Sequence, residues 1–186
     1  MIEERLARLR AFLKAQGADA VFVNKEVNLH YFSGFRGDDT LLLISADDAV
    51  LVTDFRYVEQ AREQAPLFTL VEQTKGLWQR AAEWAQNAGW KRIAFEENAL
   101  FYRDYAKLQQ LLPHAALDVP VDLSALRMIK EPEEIACIKK AAEIADAAFS
   151  DVLTFLRPGV SEHAVAARLE GVMRALGSER PAFTTI

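Results

Sequence analysis

The span from Asn28 to Asp39, Asn28-Leu29-His30-Tyr31-Phe32-Ser33-Gly34-Phe35-Arg36-Gly37-Asp38-Asp39, is the densest in groups able to do chemistry. An aromatic ring, a guanidinium and two carboxylates follow one another from Phe35 to Asp39, with Gly34 and Gly37 as hinges. Such a flexible loop fits a ligand lid, and equally an ordinary turn between elements. A Gly-x-x-Gly phosphate clamp is disfavoured, because Asp38 and Asp39 would repel a phosphate backbone. A serine nucleophile elbow needs Gly-x-Ser-x-Gly, and Tyr31-Phe32-Ser33-Gly34 lacks its first glycine. Imidazole ligation of a metal has only His30, His114 and His163 to draw on, none with a second histidine or a Glu-x-x-His partner at ligand spacing. Each is therefore expected to be structural or solvated. Cys137, the single cysteine, lies between Ala136 and Ile138 in a helical pattern and reads as a small buried or half-buried apolar residue, not a nucleophile.

The elements that must position these groups follow from periodicity. Ile2, Leu6, Leu9, Phe12 and Leu13 recur at helical spacing before Gly17. Ala20–Val23, Leu41–Ile44 and Val50–Val52 are short apolar runs of the kind a buried strand needs, the last two joined by the turn-like Ser45-Ala46-Asp47-Asp48 as a hairpin. Asp54 is placed to cap a polar helix ending near Pro66, and a strand follows at Phe68–Val71. A helix on Leu77, Ala81, Trp84 and Ala88, a strand at Arg92–Phe95, a helix through Tyr105, Leu108, Leu111 and Leu112, and a strand around Ala116–Val119 complete the alternation. This pattern predicts a mixed sheet flanked by helices in an α/β fold.

After Pro120 the pattern changes to two helices. Pro132, Glu133 and Glu134 open the first, whose apolar seam reads Ile135, Ile138, Ala142, Ala145, Phe149, Val152 and Leu156. Ser161 is placed to cap the second, which runs through Ala164, Ala167, Leu169, Val172 and Leu176 to Gly177. The segment Pro181–Ile186 resembles the start of a strand, so the second domain reads as incomplete.

Composition narrows the function classes. The 186 residues are 51% hydrophobic and 26% charged, enough to bury a sizeable core and too apolar for a disordered chain. The net charge is −5, and residues 126–186, with 8 basic and 9 acidic side chains, hide no basic half. Nucleic acid is therefore not an expected partner. The amino terminus alternates charged with apolar residues, which predicts no signal peptide and no membrane span, and with one cysteine a reducing cytoplasmic setting fits.

Several separated motifs agree on one family. Asn28–Gly37 and Val52-Thr53-Asp54-Phe55-Arg56-Tyr57 resemble the N-terminal domain of the creatinase, prolidase and aminopeptidase P family. Leu126-Arg127-Met128-Ile129-Lys130-Glu131-Pro132-Glu133-Glu134-Ile135 is similar to its interdomain segment. Pro158-Gly159, Glu162, Glu170, Gly177 and Pro181-Ala182-Phe183 are similar to the start of its pita-bread metallopeptidase domain.

The resemblance implies an N-terminal domain over residues 1–125, then a linker and an incomplete α+β pita-bread domain over 126–186, contributing mainly two helices. It implies a proline-specific metallopeptidase, an Xaa-Pro aminopeptidase or Xaa-Pro dipeptidase, that hydrolyses the peptide bond before proline in proline-containing peptides. Two divalent metal ions, manganese or cobalt, would polarise the carbonyl and supply the nucleophile. Their Asp, His and Glu ligands are expected beyond Ile186, so the chain alone is expected to hold neither metal nor catalytic residues and to be inactive. The resemblance further implies a homodimer in which the Phe35–Asp39 loop approaches the neighbouring subunit's active site. Arg36 and Asp38 are accordingly expected to bind substrate, with Phe183 beside an apolar substrate pocket. The alternative is a noncatalytic dimerisation or peptide-binding module on the same fold.

Overall fold

The computed structural model describes residues 1–185, which form two compact units, one over residues 1–128 and one from residue 129 onward. In the first unit the apolar runs become strands: β1 (Ala20–Val23), β2 (Leu41–Ser45), β3 (Ala49–Thr53), β4 (Thr69–Glu72), β5 (Arg92–Glu96) and β6 (Ala116–Val121). They make one mixed sheet in the order β4-β3-β2-β1-β5-β6. β2 is antiparallel to both β1 and β3, with Phe22 opposite Leu43 and Leu42 opposite Leu51, while the β1–β5, β3–β4 and β5–β6 pairs are parallel. The expected hairpin forms, and Ser45 closes its turn by accepting from the Asp48 and Asp47 backbone N–H groups at 2.8 and 3.3 Å. Pro120 sits in edge strand β6, where a missing donor costs no central ladder bond.

Both faces of the sheet are covered, which is why its central strands are continuous apolar runs. Val21, Val23, Leu42, Ile44 and Leu51 point to a core completed by α1 (Ile2–Gln16), α2 (Glu26–Ser33) and α3 (Val58–Gln64) through Leu9, Phe32 and Ala61. Ala20, Phe22, Leu41, Leu43, Val50 and Val52 point the other way, onto α4 (Leu77–Ala88) and α5 (Tyr102–Leu111). There Ala81, Ala82 and Ala85 are fully buried, and small side chains let α4 lie close to the sheet. Trp78 tilts against Phe22 with ring centroids 6.3 Å apart, and Trp84 and Trp90 pack on the same core.

Two differences from the sequence reading concern helices. Periodicity alone did not mark α2; its Lys25 cap offers no side-chain hydrogen bond, and the backbone leading into it is held by Glu96 from the end of β5. The polar helix expected after Asp54 begins as a 3₁₀ turn, Phe55–Tyr57, in which the Asp54 carboxylate accepts from the Arg56 N–H at 2.9 Å.

The second unit consists of α6 (Pro132–Phe155) and α7 (Glu162–Ala175) with the segment that follows. α6 starts in a capping box between Glu131 and Glu134 with Pro132 in the first turn, and Ser161 accepts from the Ala164 N–H at 3.2 Å to start α7. Only Ile144, Ala148 and Val152 of α6 are buried, a stripe at four-residue spacing. Of the predicted seam only Val152 is on this stripe; the rest is corrected, with Ile135, Ile138, Phe149 and Leu156 all exposed. Cys137 is corrected too, being exposed, because α7 has 14 residues against 24 in α6 and does not reach its first turns. In place of the expected strand, Ala182 and Phe183 form a bend and residues 181, 184 and 185 have no regular structure, while Ile186 lies outside the described residues.

Candidate functional site

The chemical span picked out in the sequence occupies the end of α2 and the loop to β2. Gly34 ends α2 in the left-handed conformation, φ +80°, and its N–H donates to the His30 carbonyl at 2.8 Å. Ser33 Oγ donates to the Leu29 carbonyl at 2.6 Å and accepts from the Phe35 N–H at 3.0 Å, which turns Phe35 inward. The Phe35 ring is buried and meets Tyr57 edge to face, centroids 5.9 Å apart. Gly37 lies flat on that ring, where a Cβ would come within 2.6 Å of it. Gly37 is thus a packing glycine, and the loop is anchored at its centre, in contrast to the flexible hinge expected from the sequence.

Arg36 stands on this anchored base. Its N–H donates to Gln64 Oε1 at 3.0 Å, and its carbonyl accepts from Gln60 Nε2, so two glutamines one turn apart on α3 fix its backbone. Its guanidinium approaches His30 Nε2 at 3.4 Å. Because a guanidinium only donates, Nε2 accepts, the ring proton is on Nδ1, and Nδ1 donates to the Gly34 carbonyl at 3.2 Å. Desolvation, followed by the Arg36 charge, lowers the His30 pKa and favours this neutral form. His30 therefore supports the loop, a role signalled in sequence only by its four-residue spacing from Gly34.

Asp38 and Asp39 diverge in role. The Asp38 side chain is exposed while its carbonyl accepts from Thr40 Oγ1 at 2.8 Å. Asp39 adopts φ +46° and accepts from Arg56 Nη2 at 2.6 Å. The same guanidinium grips Asp54, with Nε 3.0 Å from both carboxylate oxygens and Nη2 2.6 Å from Oδ2. Hydrogen bonding from Arg56 lowers the Asp54 pKa, and the two aspartates raise that of Arg56. Asp54 caps the chain as expected from the sequence, and its ion pair with Arg56 ties the loop to the 3₁₀ turn that precedes α3.

A depression of about 350 Å³ opens beside the loop, with Asp38, Asp39, Glu26 and Asp104 around Trp78 and Phe101. Arg36 and Asp38 share the loop, whereas Phe183 belongs to the second unit and is exposed. Among the described residues no three of His, Cys, Asp and Glu converge to hold a metal ion, and no helix is long and apolar enough to cross a membrane. The two-metal chemistry that the sequence resemblance implies finds no ligand set among the described residues.

Residues 5–129 match the creatinase/prolidase N-terminal domain, and residues 136–186 match metallopeptidase family M24. An uncharacterized peptidase of Bacillus subtilis is 40% identical over 98% of the chain, and an Xaa-Pro dipeptidase of Pyrococcus furiosus is 31% identical over all of it. Among solved structures, an Xaa-Pro dipeptidase from Bacillus anthracis superposes with a TM-score of 0.92 at 34% identity, covering 98% of this chain. The chain spans 52% of each of these three proteins, about half their length.

Proposed function

The chain belongs to the creatinase/prolidase N-terminal domain family and carries a segment of metallopeptidase family M24, and on that premise we propose that it is the N-terminal part of a proline-specific metallopeptidase. The activity is hydrolysis of the peptide bond before proline, as an Xaa-Pro dipeptidase or Xaa-Pro aminopeptidase. The observation that carries this reading is the superposition of 98% of the chain on an Xaa-Pro dipeptidase at a TM-score of 0.92.

Within such an enzyme the described residues recognise substrate and leave the chemical step to others. Arg36, fixed at its backbone by Gln60 and Gln64, presents a guanidinium suited to a peptide carboxylate. The exposed Asp38 carboxylate suits a peptide ammonium, and Phe183 offers an apolar surface. Two divalent ions, manganese or cobalt, would supply Lewis acidity and an activated water in the complete enzyme. No ligand for them is assigned among the described residues. A cytoplasmic homodimer, with the Phe35–Asp39 loop facing the neighbouring subunit's site, completes the proposal.

The test compares the 186-residue chain with the protein encoded by its complete gene, both with Mn²⁺ and an Xaa-Pro dipeptide and tripeptide. The expected result is cleavage before proline by the complete protein and none by the 186-residue chain. A complete protein that cleaves neither peptide would overturn the reading in favour of a noncatalytic binding or dimerisation module.

A further inference from the structure

Glu96, the last residue of β5, is 1% exposed, and no part of the loop or of the proposed substrate contacts uses it. Its Oε2 accepts from the backbone N–H groups of Asn24 and Lys25, both at 2.7 Å, and its Oε1 accepts from Asn28 Nδ2. Asn24 Nδ2 is already committed to the Ala99 carbonyl at 3.0 Å. Two further acceptors, Asn24 Oδ1 and Asn28 Oδ1, are buried there without a partner, and Asn28 is itself 1% exposed. Acceptors thus outnumber donors around a buried carboxylate. A buried charge is unfavourable, and one added proton removes it and supplies a donor that Asn28 Oδ1 lacks.

We propose that Glu96 and Asn28 form a proton-operated latch at the junction of β1 and α2. In the ionised state both carboxylate oxygens accept, as the structure shows. In the protonated state a proton from solvent sits on Oε1, the Asn28 amide turns over, Oε1–H donates to Asn28 Oδ1, and the Asn28 Nδ2 bond to Oε1 is given up in exchange. Oε2 keeps the two backbone N–H groups throughout, so the junction stays closed while the amide contact changes. The charged groups around the latch are Lys25, whose field reaches both Glu96 and Asp122, the exposed Glu97, and Glu26 and Asp104 along the adjoining depression. Of these only Lys25 favours the carboxylate, and burial outweighs it together with the three donors, raising the Glu96 pKa. A raised folded-state value means that this group's contribution to stability is complete below the unfolded pKa and is lost as pH rises through the folded one.

The experiment is a carbon-detected NMR titration of the Glu96 side-chain carboxyl in the 186-residue chain, with the Asn28 side-chain amide followed in the same samples. The expected result is a Glu96 midpoint above its own midpoint in the urea-unfolded chain, with the Asn28 amide resonances moving at that same midpoint. In Glu96→Gln the side-chain amide is a permanent donor to Asn28 Oδ1, so the Asn28 resonances should be pH-independent and lie near their low-pH wild-type position. A Glu96 midpoint equal to or below the unfolded one overturns the latch, as does an Asn28 amide that stays still while Glu96 titrates. The wild-type titration decides even where the variant does not fold.

Discussion

The two units use helices in opposite ways. In the first, α1 to α5 close both faces of a sheet whose β1 and β2 residues are all buried. In the second, α6 and α7 have the better local signals, a capping box, a Ser161 cap and a proline in the first turn, yet α6 buries three residues and α7 none. Capping contributes about 1 kcal/mol at a helix end, whereas one fully buried large side chain contributes about 1.5–3 kcal/mol. Well-specified helices and a stable core are therefore different properties, and the chain separates them along its length.

Substitutions that probe the contrast differ most where the cores differ. Phe32→Ala, in a fully buried position of the first unit, should destabilise by about 3–5 kcal/mol in urea unfolding. Leu153→Ala in exposed α6 should shift it by no more than about 0.5 kcal/mol. Equal losses at the two positions would break the comparison. Gly37→Ala forces a methyl into the Phe35 ring and should cost about 1–3 kcal/mol, with Tyr57 fluorescence or ring NMR shifts reporting the displaced stack. Ser161→Ala should remove about 1 kcal/mol from α7 alone, visible as faster amide exchange at its first turn with the first unit's exchange unchanged.

The smallest effect is electrostatic. The Asp54 pKa is lowered by Arg56, so its contribution to stability is present above the unfolded carboxylate pKa and is lost as pH falls through the folded one. Asp54→Asn should flatten that acid limb in unfolding curves taken across acidic pH, and an unchanged limb would place the acid sensitivity elsewhere.

These contrasts explain what was legible in the sequence. Strands such as Leu41–Ile44 announce themselves because a two-faced sheet needs unbroken apolar runs. The ends of α6 and α7 are equally plain, since Pro132, Glu134 and Ser161 act within four residues of themselves. What escaped depends on distant partners. The backbone leading into α2 is fixed by Glu96, 71 positions from Lys25, and no periodicity in residues 26–33 carries that information. Likewise Arg36 and Asp38 stood out by chemical type, while the glutamines that pin Arg36 lie 24 and 28 residues away. The seam of α6 is only partly legible because Ile135 through Leu156 offers apolar residues on more than one face, and the face that is buried carries Ile144, Ala148 and Val152.

Amide hydrogen exchange of the intact 186-residue chain tests the central contrast most directly. Slow, cooperative exchange is expected in β1, β2, β3 and β5, and exchange faster by orders of magnitude throughout α6 and α7, since few buried contacts oppose their local opening. Protection in α6 and α7 equal to that of the sheet, in a sample shown to be monomeric, would contradict it.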